Sequence, residues 1–425
     1  MNRTLIRATV PALLLLLLLG FAANRPMAVA RIKLAALPAR DRVDVQLDNG
    51  AFTLVEEERI VPLLKSSPEI GNNAIDFSWS NTNVDKDSIQ FRPISIREGD
   101  KFVAIKKVKI NDKTEVDEIG VINVAYPPNE NALVWEVFAA RACAVKVRVS
   151  YLISNFDRYF SYRALADKEE TKLSLINYMQ IRNYSGENFG NSGIWAGFGE
   201  AFTKVIDNQQ EIKMLLRRFD NVPVEKTFTM DWYANGALSA DKPFASKILM
   251  HYKLINDAKN AMGVFPLQPG KVRIFIEDGK GGEAFLGEDV SGLVPLDGEM
   301  KIYLGEARDI VCTRTIESNV RSNVRGNLYN QEIIIKYEIE NFKPKAATLR
   351  IQEHMNNLAA EYFGSLHGDV EWEKGKTTSE EIRIDIEKGG VNPILSVDLA
   401  AAPTDKDKKV EKKIVRFHFT IKNLW

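Results

Sequence analysis

Cysteine and histidine are scarce, with two and four residues in a chain of 425. None of His251, His354, His367 and His418 lies three or four residues from another histidine or from a cysteine, so the usual spacing of a zinc site is missing and no metal is expected. Charge of one sign is also lacking, because 57 Lys and Arg balance 57 Asp and Glu. Phosphate binding needs a basic excess or stripe, so nucleic acid is not expected as a partner. Long apolar runs are confined to the start. Val10–Ala23 contains seven consecutive leucines, Leu13–Leu19, behind Arg3 and Arg7 and ahead of Ala28-Val29-Ala30. That three-part layout is the mark of a secretory signal peptide over residues 1–30, and the run falls short of the 20 or so residues that span a bilayer. The expectation is an extracytoplasmic protein (periplasmic, secreted or cell-surface) with no transmembrane span beyond the leader. Export makes a disulfide between Cys143 and Cys312 chemically allowed, while their strand-like surroundings equally suit two buried thiols.

What is present is period-two alternation, the mark of half-buried strands. Val43, Val45 and Leu47 alternate with Asp44, Gln46 and Asp48, then Asn49-Gly50 precedes Phe52 and Leu54. Both turn residues tolerate positive φ, so a hairpin is expected there. Asp278-Gly279 and Asp297-Gly298 suggest two more. Further strands are expected at residues 145–152, 172–182, 228–232, 248–254, 333–339, 349–351, 382–386 and 415–421. Many short strands with turn chemistry between them predict a mainly β chain of multi-domain β-sandwich architecture. Soft boundaries divide it into an N-terminal β domain over 31–140, a β-sandwich domain over 141–300 and a C-terminal β-sandwich domain over 301–425, with a charged loop over 400–413. Residues 200–219 are ambiguous. Ile212, Leu215, Leu216 and Phe219 fit a helical face, and also two strands joined at Asp207–Gln210.

The chemistry-bearing motifs are incomplete. Asn81, Asn83, Asp85 and Asp87 have the oxygen spacing of a calcium loop, but Lys86 and Arg92 stand where glycine and the late acid belong. Asp278–Gly282 is glycine-rich without the Lys-Ser/Thr ending of a phosphate loop, and reads as a hairpin tip. No Gly-x-Ser-x-Gly elbow is present, and Cys143 lies between alanines, where a thiol is inert. Acids are numerous, but no one pair stands out for glycoside hydrolysis. The binding candidates are aromatic: Tyr151, Phe156, Tyr159, Phe160 and Tyr162 crowd into twelve residues, as a sugar-stacking platform or interface would, or as core packing would. The last strand alternates Val415, Phe417, Phe419 and Ile421 with polar residues up to Trp425, a pattern also found at the end of outer-membrane barrels.

Several segments occur in a telling order. Val147–Ile153 (VRVSYLI) is followed by Tyr162–Asp167 (YRALAD), Leu173–Leu175 and Ile181–Phe189 (IRNYSGENF). Then come Asn221–Val224, Leu267–Phe275 and Phe285–Asp289. This order resembles the bacterial family called domain of unknown function 4139, over most of residues 40–355. Tyr159-Phe160 and Phe189 stand where that family usually has tryptophan. The resemblance implies an exported, β-rich protein, implies no chemistry, and favours strands over a helix at 202–218. The function expected is non-enzymatic, with no cofactor: binding, adhesion or a structural role in the cell envelope, with an envelope protein or glycan as partner. The alternatives are an exported hydrolase acting on envelope glycan through an acid pair, and an outer-membrane β-barrel.

Overall fold

The computed structural model describes residues 31–34, 39–49, 51–110, 114–197, 199–231, 235, 244–358, 370–386, 390–405 and 408–424. The expected leader, His367 and Trp425 lie outside them. The described chain is mainly β, built of several sheets with almost no helix. No helix among the described residues is long and apolar enough to cross a membrane.

The chain divides into two compact units, Met1–Arg158 with Gln180–Lys213, and Tyr159–Met179 with Met214–Trp425. The divisions do not coincide with the expected boundaries at 140/141 and 300/301. Strand Cys143–Ile153 pairs along its whole length with Phe52–Leu63, so the first unit's main sheet continues past residue 141. Strand Glu299–Glu306 likewise pairs with Leu249–Ile255 across residue 300.

In the first unit a seven-stranded sheet is centred on Phe52–Leu63, flanked by Arg40–Asn49 and Cys143–Ile153. The strands either side of the expected Asn49-Gly50 turn pair antiparallel, with Asn49 opposite Phe52, and Gly50 itself lies outside the described residues. A second, four-stranded sheet contains Asn73–Ser78 and Ala132–Ala139. Rings from the two sheets meet in the space between them: Phe77 lies tilted 4.9 Å from Tyr151, and Phe91 stacks on Trp135 at 4.8 Å. Alternation puts one side chain in two on that shared interior, which is why the polar residues between them stay outside.

In the second unit a six-stranded sheet carrying Phe228, Leu349, Ile351, Leu395 and Val397 packs on a five-stranded sheet carrying Ile333, Ile335, Phe417 and Phe419, around one buried apolar cluster. The last strand, Lys413–Leu424, lies within that five-stranded sheet between Leu328–Asn341 and Trp372–Lys374, and its apolar side faces the sandwich core.

Two turn expectations need correction. Asp278–Gly282 is a hairpin tip, with Glu277 paired to Glu283 and the Asp278 carboxylate accepting from the backbone of Lys280 and Gly282. Asp297-Gly298 is not: the strands before and after it, Glu283–Ser291 and Glu299–Glu306, enter different sheets, and Val294 pairs with Leu267 instead. Residues 202–218 are strands, as the resemblance favours, but not a hairpin. Phe202–Val205 pairs with Asn191–Trp195, whereas Gln210–Pro223 joins the sheet of Lys172–Asn183. The turn between them places Gln209 at φ 65°, which sends the chain from one sheet to the other.

Candidate functional site

The site begins with an anomaly in one strand. Along Phe52–Leu63 the inward side chains are Thr53, Val55, Glu57, Arg59, Val61 and Leu63, all buried. Four of the six suit a core, and the middle two are charged. Glu57 lies between Val43 and Val149 in the ladder and is fully buried, and Arg59 beside it is 3% exposed. The Arg59 Nε and Nη2 both donate to Glu57 Oε1 at 3.2 Å. Arg40 joins them from the neighbouring strand, donating from Nε to Glu57 Oε2 at 2.5 Å. By plain alternation Arg40 would face away from Val43 and Val45. A bulge between Arg40 and Arg42 resets the pleat and turns it inward, the re-aiming that bulges provide.

Arg40 carries two more partners. Its Nη1 donates to the Asn188 carbonyl at 2.9 Å, and its Nη2 donates to the Glu187 carboxylate. Both acceptors belong to the turn 184–190, which follows the strand Lys172–Asn183. The Asn183 amide holds that turn by donating to the carbonyls of Glu187 and Ile206, each at 2.9 Å. Gly186 lies at φ 91°, and a Cβ there would strike the Asn81 carbonyl oxygen at 2.1 Å. Only glycine lets the turn close this tightly.

The charged cluster opens to water on two sides. A cavity of about 650 Å³ is lined by Arg40, Asp41, Arg42, Arg59, Glu187 and Asn191, among others. A smaller cavity of about 210 Å³ is lined by Arg40, Arg59 and Glu187 together with Trp79, Ser80 and Thr82. Arg40, Arg59 and Glu187 therefore line both. Arg42 stands at the mouth, paired with Asp44 at 2.8 Å and well exposed.

The aromatic cluster read from the sequence separates into different roles. Tyr151, Phe156, Phe160 and Tyr162 are buried, and only Tyr159 is exposed, so the five do not form one exposed platform. Phe156 underlies the cleft. Phe156 stacks on Phe189 at 5.6 Å, and Phe189 lies under the Arg40 guanidinium at 5.5 Å. The Tyr151 hydroxyl is buried without a hydrogen-bond partner, and burial, then the charge of Glu57, hold its titration far above the ordinary range. Tyr162 belongs to the second unit and donates to the Gln268 carbonyl.

The cysteines are free thiols in separate units, so the disulfide considered from the sequence is not formed. Burial pushes both thiols up, Cys312 to about 12, which leaves them poor nucleophiles. The residues of the calcium-like spacing bond within the protein: Asp85 Oδ1 accepts from the Asp87 N–H at 3.1 Å in a local turn, and the Asn83 amide donates to the Ser154 hydroxyl at 2.9 Å. Among the described residues no group of three His, Cys, Asp or Glu is placed to hold a metal ion.

A second buried ion pair lies in the other unit. Arg314 donates from Nε and Nη2 to the two oxygens of Glu353, at 2.8 and 3.1 Å, and the Tyr337 hydroxyl donates to Glu353 at 2.6 Å. All three are buried, and neither described cavity in the first unit involves them.

Sequence reasoning passed over Arg40, Glu57, Arg59 and Glu187. The signal for Glu57 and Arg59 was available, since they hold the inward parity of Val55 and Val61 in an alternating run. Glu187 lies in the Ser-Gly turn of the family-like motif, but nothing local to that turn points to Arg40, 147 residues earlier. No protein-family model and no curated protein matches the chain.

Proposed function

We propose that this is an exported protein that binds its ligand without transforming it, and that the Arg40–Glu187 cleft receives a polar, hydroxyl-rich ligand of the kind an envelope glycan offers. The observation behind this reading is the buried Glu57 with its two guanidinium groups at core positions beside an open cavity. Hydrophobic residues of similar volume usually serve stability as well or better than a buried ion pair. Charge kept there makes sense where it holds donors and acceptors rigid for something that enters, as preorganised sites require. Both signs of charge and the Asn191 amide suit sugar hydroxyls, which donate and accept. Glu57 and Glu187 are engaged by the chain's own guanidinium groups, an arrangement that orients a ligand rather than delivering a proton. The secretory layout of residues 1–30 and the resemblance to the domain of unknown function 4139 family support export and a β-rich scaffold.

The test is calorimetric titration of the purified protein with neutral and acidic envelope-type oligosaccharides. The Arg42→Ala/Asn191→Ala variant removes two exposed groups at the cavity mouth and leaves Glu57 and its arginines in place. Binding that weakens at least about tenfold in the variant, without turnover, is the expected result; tenfold corresponds to one lost polar contact. Absence of binding across the panel, or equal binding by the variant, overturns the cleft. Hydrolysis of any oligosaccharide returns the glycan-hydrolase reading.

A further inference from the structure

Both cavities are lined by Arg40 and Glu187, which pair with each other. Arg40 is held on one side by Glu57, which is wholly buried and fixed on a central strand. On the other side it meets Glu187, whose side chain is 28% exposed and projects from a turn. The backbone of that turn is clamped by Asn183 and by Asn208, whose Oδ1 accepts from the Gly186 N–H at 3.0 Å. Among the described residues the Glu187 side chain is held by Arg40 and by a long contact from the Thr82 hydroxyl, 3.4 Å. A rotamer change would therefore withdraw its carboxylate without moving the turn, once another anion replaces it on Arg40.

We propose that Glu187 occupies the seat of a ligand carboxylate, and that the ligand of the cleft is an acidic saccharide whose own carboxylate displaces Glu187 from Arg40. This rests on the cleft reading above and narrows it to one chemical class. The Arg40 Nη2 and the Thr82 hydroxyl are the donors that Glu187 now uses, and both become available to an incoming carboxylate when it leaves. The charge balance shifts the same way. Of the ionised groups lining the larger cavity, Arg40, Arg42 and Arg59 are cations while Asp41 and Glu187 are anions. Withdrawing Glu187 leaves three cations against one anion. The smaller cavity, which Arg40 and Glu187 also line, includes Phe77 and Trp79, whose rings offer apolar walls for a sugar ring. Arg40 itself stays in place, because Glu57 and the Asn188 carbonyl hold its Nε and Nη1. An arginine oriented in advance by a buried carboxylate is well suited to a planar carboxylate on the ligand.

The experiment compares trigalacturonate with its methyl ester, the same trisaccharide without charge, on the full chain and on Glu187→Gln. Removing the internal competitor should raise affinity for the acid about tenfold relative to the ester, the scale of one charge-assisted hydrogen bond. Thermal unfolding of the variant close to that of the parent shows that the fold is intact, and Glu187→Ala serves as the second variant if glutamine alters the turn. An equal gain for both sugars, no gain for either, or a loss for both overturns the displacement. If the parent binds neutral oligosaccharides in the cleft and Glu187→Gln shows no preference for the acid, only the displacement fails. If no saccharide binds to any form, the cleft reading fails and the displacement falls with it.

Discussion

Each unit buries a glutamate on arginine, and the two arrangements differ in what lies beside them. Glu353 takes Nε and Nη2 of Arg314 and the Tyr337 hydroxyl, inside a sandwich whose neighbours are Cys312, Ile335 and other core residues. Glu57 takes Arg59 and Arg40, and Arg40 reaches from there to the wall of two cavities. The same residue types thus make a sealed clasp in one place and a cleft wall in the other. What separates them is whether a guanidinium with fixed orientation is left facing water. Composition carries no such information, and neither does the spacing of the residues along the chain.

The largest expected effects come from deleting the two buried carboxylates. Glu353→Gln removes the buried carboxylate that Arg314 binds through Nε and Nη2 and should cost about 3–5 kcal/mol of stability. Glu57→Gln should cost less, about 2–3 kcal/mol, because Arg40 can take water from the cavity in place of the lost carboxylate. Chemical denaturation of both variants measures the difference. An equal or larger loss at Glu57 breaks the distinction between clasp and cleft.

A smaller effect compares the two buried tyrosines. Tyr337 donates to Glu353, so Tyr337→Phe removes a hydrogen bond to a charged group and should cost about 1.5–3 kcal/mol. The Tyr151 hydroxyl is buried with no partner, so Tyr151→Phe should be neutral or stabilising by up to about 1 kcal/mol. A matching loss at Tyr151 would mean that its hydroxyl is satisfied in solution, for instance by water entering from the cleft.

The smallest effect is electrostatic and separates the outer face of the same strand from its inner one. Glu58 points outward; partial burial raises its carboxyl, but Arg148, Lys146 and Arg42 outweigh that and hold it below the usual carboxylate range. A depressed folded-state pKa adds stability above the unfolded value, about 4.3, and that contribution disappears as pH falls through the lower folded value. The stability gap between the parent and Glu58→Gln should therefore be constant near pH 6, no more than about 1 kcal/mol, and should close below about pH 4. Urea unfolding at stepped pH reads it directly. A gap that widens on acidification contradicts the assignment.

Much of this was legible in the residues. Period-two alternation places Val43, Val45 and Leu47 on one face, and the core contains them. The tip at Asp278–Gly282 follows from turn chemistry alone. Asp297-Gly298 has the same chemistry and makes no hairpin, because Leu267 supplies the pairing partner for Val294 from outside the local segment. Residues 202–218 show the same limit: their local pattern fits a helix as well as strands, and neither the strands nor their assignment to two different sheets follows from it. The aromatic run 151–162 is dense in sequence, yet its rings divide between the floor of the cleft, the core of the second unit and the surface.

The amino-acid sequence by itself determined the strands, their inward faces and the charged intrusion at Glu57 and Arg59, because alternation is a property of one strand's backbone. Only the tertiary structure decided that Arg40 and Glu187, 147 residues apart, meet over that intrusion. A bulge had to turn Arg40 inward and a glycine at 186 had to let a distant turn press against Asn81. Contacts made between strands and turns so far apart depend on which partners the rest of the chain leaves available, and that is settled only when the sheets assemble.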